Sequence, residues 1–148
     1  MKIIISESQY NLLLESKLKQ NLKQEIKDFG VKDTAELVNG FDNLMEILNI
    51  NSPMDFLHLF DDLDVVQSEE KPGWTLFRYK PNHNLIIYDR KNKTVFINYE
   101  EIWKVLGNVF NLEYSEIEEL TQEWLSEVYN LRGVTPVYKL STFIHLVG

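Results

Sequence analysis

The fold is decided by residues 74–99, which read WTLFRYKPNHNLIIYDRKNKTVFINY. Three short runs in this stretch are rich in β-branched and aromatic residues, and the turn-forming sequences Pro-Asn-His and Arg-Lys-Asn-Lys separate them. This pattern is typical of antiparallel strands joined by short turns. We therefore predict a three-stranded antiparallel meander, with strands at 74–80, 84–89 and 94–99.

Helical patterns flank the meander on both sides. Five capping signals mark the expected helix starts, at Ser6, Asp33, Ser52, Asn98 and Ser115. Apolar residues then recur at spacings of three and four, as they do along one face of a helix. The segregation of strands from helices predicts an α+β fold, with three N-terminal helices, the three-stranded antiparallel β-meander, two C-terminal helices and a short tail.

We predict that the whole chain, 1–148, is a single globular domain. Its 148 residues are 44% apolar and contain no repeat and no linker long enough to separate two domains. The predicted domain consists of a helical part (6–64), the meander (74–99), two helices (99–131) and a tail (134–148).

The composition excludes several classes of protein. The absence of cysteine rules out a disulfide scaffold, a thiolate metal site and a cysteine nucleophile. No apolar run approaches the ~18 residues of a membrane span, and the opening apolar run is too short for a signal peptide. We therefore expect a cytoplasmic protein without contact to a membrane. The net charge of −8 argues against general nucleic-acid binding.

Charge is strongly segregated along the chain. Residues 33–70 contain ten acids and neither Lys nor Arg, whereas residues 71–104 carry a net charge of +4. Leu, Phe, Met and Val are interleaved with the acids, so this acidic block is not a solvating tail. The sequence leaves open whether the acidic block is exposed or is paired with the basic meander.

The end of the predicted third helix carries three acids, Asp61, Asp62 and Asp64. The helix dipole disfavours an anion at a C-terminus by about 0.3–1 kcal/mol, so these positions need compensating cations. The cations can come from the meander, from a protein partner or from a metal ion. We expect internal pairing, and we predict no metal site and no cofactor.

The meander contributes the second group of candidates, its aromatic residues. Aromatic side chains occupy both faces of the predicted sheet, and only one face is needed to cover the helices. The other face would then expose a patch typical of protein-binding or stacking surfaces, unless helices cover both. The selected partner-binding residues are Asp42, Glu46, Asp55, Asp61, Asp62, Asp64, Glu69, Glu70, Trp74, Phe77 and Tyr79.

No catalytic constellation is apparent. His58 precedes Asp61 and Asp62 by three and four positions, which could form a metal or general-base site, but a partly buried histidine is the simpler interpretation. Residues 69–71 spell the end of a nuclease Glu-x-Lys signature, and residues 78–83 spell an Arg-x4-His motif. Both segments lie in turns or strands that do not fit those enzymes.

Two segments resemble proteins of tailed bacteriophages and bacterial mobile DNA. Residues 2–15, KIIISESQYNLLLE, resemble the start of many small proteins of this group. Residues 74–80 (WTLFRYK) and 99–103 (YEEIW) look like the strand-to-helix junction of uncharacterised members. The resemblance implies a virion component, a replication accessory or an inhibitor of host defences, in a virion or in the host cytoplasm. It defines no catalytic residues.

The sequence therefore predicts a non-enzymatic, phage-type accessory or virion-associated protein that acts by binding a host or phage protein. One alternative is an acidic inhibitor that mimics the charge of a nucleic acid, which requires the acids of 33–70 to share an exposed face. The other alternative is a small metal-dependent nuclease or hydrolase. Direct nucleic-acid binding is not expected, and self-association is left open.

Overall fold

The computed structural model describes residues 7–31 and 41–138. The helices in these ranges are α1 (Glu7–Gly30), α2 (Phe41–Ile47), α3 (Pro53–Leu57), α4 (Ile102–Asn108) and α5 (Tyr114–Tyr129). The strands are β1 (Asp64–Gln67), β2 (Trp74–Lys80), β3 (His83–Asp89), β4 (Thr94–Ile97) and β5 (Thr135–Tyr138). A 3-10 turn, His58–Phe60, follows α3 directly. Within the described ranges, no helix has the length and apolar composition needed to cross a bilayer.

The five strands form one mixed sheet in the order β1-β2-β3-β4-β5. The first four are joined consecutively and pair antiparallel, whereas β5 pairs parallel to β4 after the chain has passed through α4 and α5. A parallel neighbour requires a long crossover connection of this kind. β5 contains Pro136, which has no backbone N–H to donate and is therefore tolerated at the edge of a sheet.

One apolar core lies between the helices and one face of the sheet, which we call the core face. The sheet contributes Phe77, Ile86, Val95 and Ile97 to this core, and all described helices contribute to the same cluster. The opposite, outer face carries Ile87, which is fully buried but does not belong to that cluster. The described helices therefore form a single layer on one side of the sheet.

The α+β class is confirmed, but the predicted architecture is wrong. The sheet has five strands in a mixed arrangement, where a three-stranded antiparallel meander was expected. The third N-terminal helix is only five residues long before the 3-10 turn. The predicted start of the second helix lies within residues 32–40, and most of the predicted tail lies within 139–148. Both ranges are outside the described residues.

The third helix ends early because a distant tyrosine binds its backbone. The Tyr129 hydroxyl donates to the Phe60 carbonyl at 2.6 Å and accepts the Leu63 N–H at 3.1 Å. These two backbone groups would otherwise continue a helical ladder toward Asp64. The chain instead leaves the helix and enters β1, where Val65 and Val66 have a high strand propensity.

Candidate functional site

The outer face of the sheet presents a row of apolar side chains across all five strands. The strand register aligns one residue from each strand in this row: Val66, Leu76, Ile87, Phe96 and Val137. All of them except Ile87 remain partly exposed. None of the described helices packs on this face, and four of the five side chains in the row are partly exposed.

Two aromatic rings pack against each other on the outer face: Phe96 belongs to the apolar row, and Trp74 lies beside it. Trp74 and Phe96 lie on strands separated by β3, which places their backbones roughly 9–10 Å apart. Their ring centroids are nevertheless 5.5 Å apart. The rings therefore lean toward each other across β3, the strand on which Ile87 is fully buried. Trp74, the first residue of β2, and Phe96 form one aromatic pair on the outer face.

Exposed bases lie at the end of the sheet next to Trp74. Trp74 pairs with Asp89, and Arg90, Lys91 and Lys93 follow in the β3–β4 turn. The Asp89 carboxylate accepts the N–H groups of the turn, so the turn is internally fixed. Within the described part of the chain, none of the three bases of the turn forms an ion pair.

The neighbouring β1–β2 turn adds charge of both signs to this end. Lys71 lies with its ammonium group 5.5 Å from the centre of the Trp74 ring, a favourable cation–π arrangement. Glu69 and Glu70 are exposed in the same turn. The Arg90 side chain donates to the Gly73 carbonyl at 3.3 Å, which holds the two turns together.

Three of the selected acids are paired within the protein. Asp64 binds Arg78 of the neighbouring strand at 3.1 Å, and Asp62 binds Lys27 of α1 at 3.3 Å. Asp61 accepts the indole N–H of a buried tryptophan, Trp124, at 2.8 Å. Among the described residues, the Asp64–Arg78 pair is the only ion pair that joins the acidic block to the basic meander.

The remaining selected acids lie apart from one another. Asp55 belongs to the capping box of α3, where it accepts the Ser52 N–H at 3.2 Å. Asp42 and Glu46 lie on α2, and Glu46 is exposed. The structure thus does not bring these acids together with Glu69 and Glu70 of the β1–β2 turn.

The selected aromatic residues lie on different sides of the sheet. Trp74 is on the outer face, whereas Phe77 is buried in the helix-covered core. Tyr79 packs against the helical layer, where its hydroxyl donates to the Asp28 carboxylate and accepts from Gln24, both at 2.5 Å. The hydrogen bond from Tyr79 is the largest effect on the pKa of Asp28, and it lowers this pKa. Burial, the second effect, raises it, and the net shift is downward.

This hydrogen bond predicts a pH dependence of stability. The lowered pKa of Asp28 means that the unfolded chain binds its proton more readily than the folded chain. The stabilisation is present above the ordinary value of 3.8 and is lost as the pH falls through the lower folded value. Tyr79→Phe should therefore flatten the loss of stability between about pH 5 and pH 3, measured by urea unfolding.

The matched control is Tyr88→Phe, since the Tyr88 hydroxyl makes no hydrogen bond to any residue that the structure describes, and Tyr88 shares the sheet with Tyr79. That variant should keep the pH dependence of the unmodified protein. The expected difference is small because the Asp28 side chain is 45% exposed, so water screens the interaction. Equal slopes for the two variants would contradict the role of the Tyr79 hydrogen bond.

Buried charge is concentrated at the start of α4. The Glu101 carboxylate lies 3.0 Å from the His83 ring, and the Lys104 side chain is fully buried. The Lys104 ammonium donates to the carbonyl of Phe29 at 3.3 Å, near the C-terminus of α1. Cations stabilise helix C-termini, so this contact fixes α1 against α4.

The other histidines and the enzyme-like motifs are also placed by the fold. His58 binds Asp61 at 2.9 Å, and His145 lies outside the described residues. In the part of the chain that is described, no group of three His, Asp or Glu side chains could hold a metal ion. In the Arg-x4-His motif, Arg78 binds Asp64 and His83 lies against Glu101, so these two side chains have separate partners.

Sequence reasoning selected Trp74 of the outer face but missed the apolar row itself. Alternation along β2 and β4 could have placed Trp74, Leu76 and Phe96 on one face, because side chains two apart on a strand point the same way. Val66 and Val137 belong to strands that were not predicted, so no local signal identified them.

Comparisons with known proteins gave no match. No protein-family model, curated protein or solved structure is similar to this chain.

Proposed function

We propose that this protein is a non-enzymatic binding module that holds a segment of a protein partner on the outer face of its sheet. The observation that supports the proposal is the apolar row across five strands, together with the Trp74–Phe96 ring pair on the same face. Partly exposed aromatic and aliphatic side chains of this kind are characteristic of the centres of protein interfaces.

The charges at the Trp74 end define the chemistry of the partner. The two adjoining turns hold four exposed bases (Lys71, Arg90, Lys91 and Lys93) against two exposed acids, Glu69 and Glu70. A segment with apolar side chains for the row and carboxylates next to the β3–β4 turn is complementary to this surface.

Two other functions receive less support. An acidic mimic of nucleic acid needs its acids aligned on one exposed face, whereas Asp61, Asp62 and Asp64 have partners inside the protein. A nuclease or hydrolase needs a reactive group in a cleft, whereas Glu69, Glu70 and Lys71 are exposed in a turn, and Arg78 and His83 lie against separate acids. The resemblance to phage proteins stays a prediction about origin.

A photo-crosslinking experiment tests the binding module. A benzophenone amino acid replaces Thr135, which is exposed on the outer face, and in a control protein it replaces Glu119, which is exposed on α5. We expect only the Thr135 position to capture specific partner segments, identified by mass spectrometry as acidic and apolar. The captured segment is then synthesised and its affinity measured by calorimetry.

Trp74→Ala should weaken the affinity for that synthetic segment about tenfold or more, because tryptophan is enriched among the residues that carry most of the energy of an interface. Lys91→Glu should also weaken it, with Glu119→Lys as the control that changes charge elsewhere. Equal capture at both positions, or an affinity unchanged by Trp74→Ala, would refute the proposal. Competition by a single-stranded oligonucleotide would instead identify the face as a stacking surface for nucleic acid.

A further inference from the structure

Three tyrosines form a compact cluster on the other side of the sheet from the outer face. The ring centroids of Tyr99 and Tyr114 are 5.1 Å apart, and Tyr138 lies 5.8 Å from the first and 5.4 Å from the second. Three separate elements supply these rings: the segment after β4, the first residue of α5, and the end of β5. The cluster therefore exists only in the folded chain.

A glycine on α4 makes room for this cluster. The Tyr99 hydroxyl packs directly against Gly107, where any Cβ would clash with it. Tyr114 is 59% exposed, although a large aromatic side chain is usually more covered. The arrangement holds Tyr99 firmly from behind and leaves the Tyr114 ring open to the surface.

Next to the cluster lies an open pocket of about 520 Å³, lined by Tyr99, Leu112, Glu113, Tyr114 and Ser115. Ligand pockets commonly have volumes of roughly 300–1,000 Å³. Its two aromatic rings meet at an angle of 54°, so their faces form a corner and not a flat stack. Aromatic faces carry negative electrostatic potential, and a corner of two faces can contact one cation from two sides.

The surroundings of the pocket are acidic. Glu113 lines it directly, Glu100 lies near Tyr99, and Glu118 lies near Tyr138. Burial raises the pKa of both Tyr99 and Tyr138; after burial, Tyr114 and then Glu100 raise the pKa of Tyr99, and Glu118 raises that of Tyr138. Among the described residues, no lysine or arginine forms an ion pair with any of these three glutamates.

The N-terminus of α5 contributes a positive electrostatic potential to the pocket, opposite in sign to that of the glutamates. Its dipole is equivalent to roughly half a positive charge. The Glu113 carboxylate accepts the Glu116 N–H in the capping box and so offsets much of that charge. Glu100 and Glu118 remain in addition, which leaves the pocket region negative.

We propose that the corner of Tyr99 and Tyr114, together with Glu113, is a binding site for an organic ammonium group. The two rings contact the cation through their faces, and the carboxylate neutralises its charge from one side. A quaternary ammonium such as choline and a trimethylated lysine side chain share this chemistry. The site is separate from the outer face, so it does not depend on the proposed function.

The probe that tests the site is choline, titrated while the tyrosine ring resonances are followed by NMR. We expect saturable shifts of Tyr99 and Tyr114. The uncharged isostere of choline, in which a tert-butyl group replaces the trimethylammonium group, should bind at least about fivefold more weakly. Similar binding of the isostere would show a hydrophobic pocket and overturn the proposal, as would shifts that do not saturate.

Two variants make the assignment specific. Tyr114→Ala removes an exposed ring and should weaken choline binding at least about fivefold without loss of the fold. Glu113→Gln keeps an oxygen that can cap α5 but removes the charge, and it should also weaken binding. Glu119→Gln on the same helix is the matched control, and equal effects of the two glutamate changes would overturn the proposal.

The same titration with the amide of N-acetyl-trimethyllysine distinguishes the two sources of an ammonium group. Tighter binding than choline indicates a site for a methylated protein segment, whereas tighter binding of choline indicates a small-molecule site. Either order supports ammonium recognition, and failure of both probes to bind overturns it. The outcome at the outer face, tested separately by crosslinking, does not affect this result.

Discussion

Trp103→Ala should lower the free energy of unfolding by about 3–5 kcal/mol, the usual cost of removing a fully buried tryptophan. Trp103 lies on α4 with no exposed surface, and its indole N–H donates to the Thr121 hydroxyl of α5 at 3.0 Å. Thr121 in turn donates to the Ile117 carbonyl at 2.6 Å. The substitution leaves a cavity between two helices and removes the partner of a buried hydroxyl.

The control for this prediction is Trp74→Ala on the outer face. Trp74 is partly exposed and is not part of the helix-covered core, so its loss should cost about 1–2 kcal/mol, mainly the contact with Phe96. Urea unfolding of the two variants, monitored by circular dichroism, gives the comparison. Equal costs would mean that the outer face is packed as tightly as the core, which would contradict its role as a binding surface.

Lys104→Ala is the second substitution with a large expected effect, about 3–4 kcal/mol. The side chain of Lys104 is fully buried, so its aliphatic stem fills core volume as a methionine would. Its ammonium group donates to the Phe29 carbonyl and lies 5.3 Å from the centre of the Phe29 ring. Alanine removes both the packing and the charged hydrogen bond.

Lys104→Met separates these two contributions. Methionine keeps most of the buried volume, so the cost should be at least about 2 kcal/mol smaller than for alanine, which also leaves a cavity. The free energies of unfolding of both variants are measured by urea titration at neutral pH. If methionine is as damaging as alanine, the charge and not the packing of Lys104 holds α1 against α4.

The central strands were predictable because their signals are local. The chain between Trp74 and Ile97 alternates β-branched and aromatic residues with turn sequences, and these strands pair with their neighbours along the chain. The outer strands were missed because each depends on a distant contact. β1 follows from the Tyr129 hydrogen bonds that end the preceding helical segment, and β5 follows from parallel pairing with β4.

The candidate surfaces show the same division between local and distant contributions. Sequence reasoning drew attention to Trp74 as an aromatic residue of the meander, but the row from Val66 to Val137 appears only once the order of the strands is known. The tyrosine pocket is even harder to predict from the sequence. Its two ring residues, Tyr99 and Tyr114, are fifteen positions apart and are brought together by the packing of α4 against α5.

The segregation of charge along the chain is visible in the sequence, but the partners of the acidic side chains could be identified only from the fold. The sequence alone determined that ten acids precede a basic, aromatic stretch, because this is a matter of composition. Only the tertiary structure decided that Asp61, Asp62 and Asp64 bind Trp124, Lys27 and Arg78 respectively. The physical reason is that local sequence sets strand and helix propensity, whereas an ion pair or an exposed face depends on which distant segments meet.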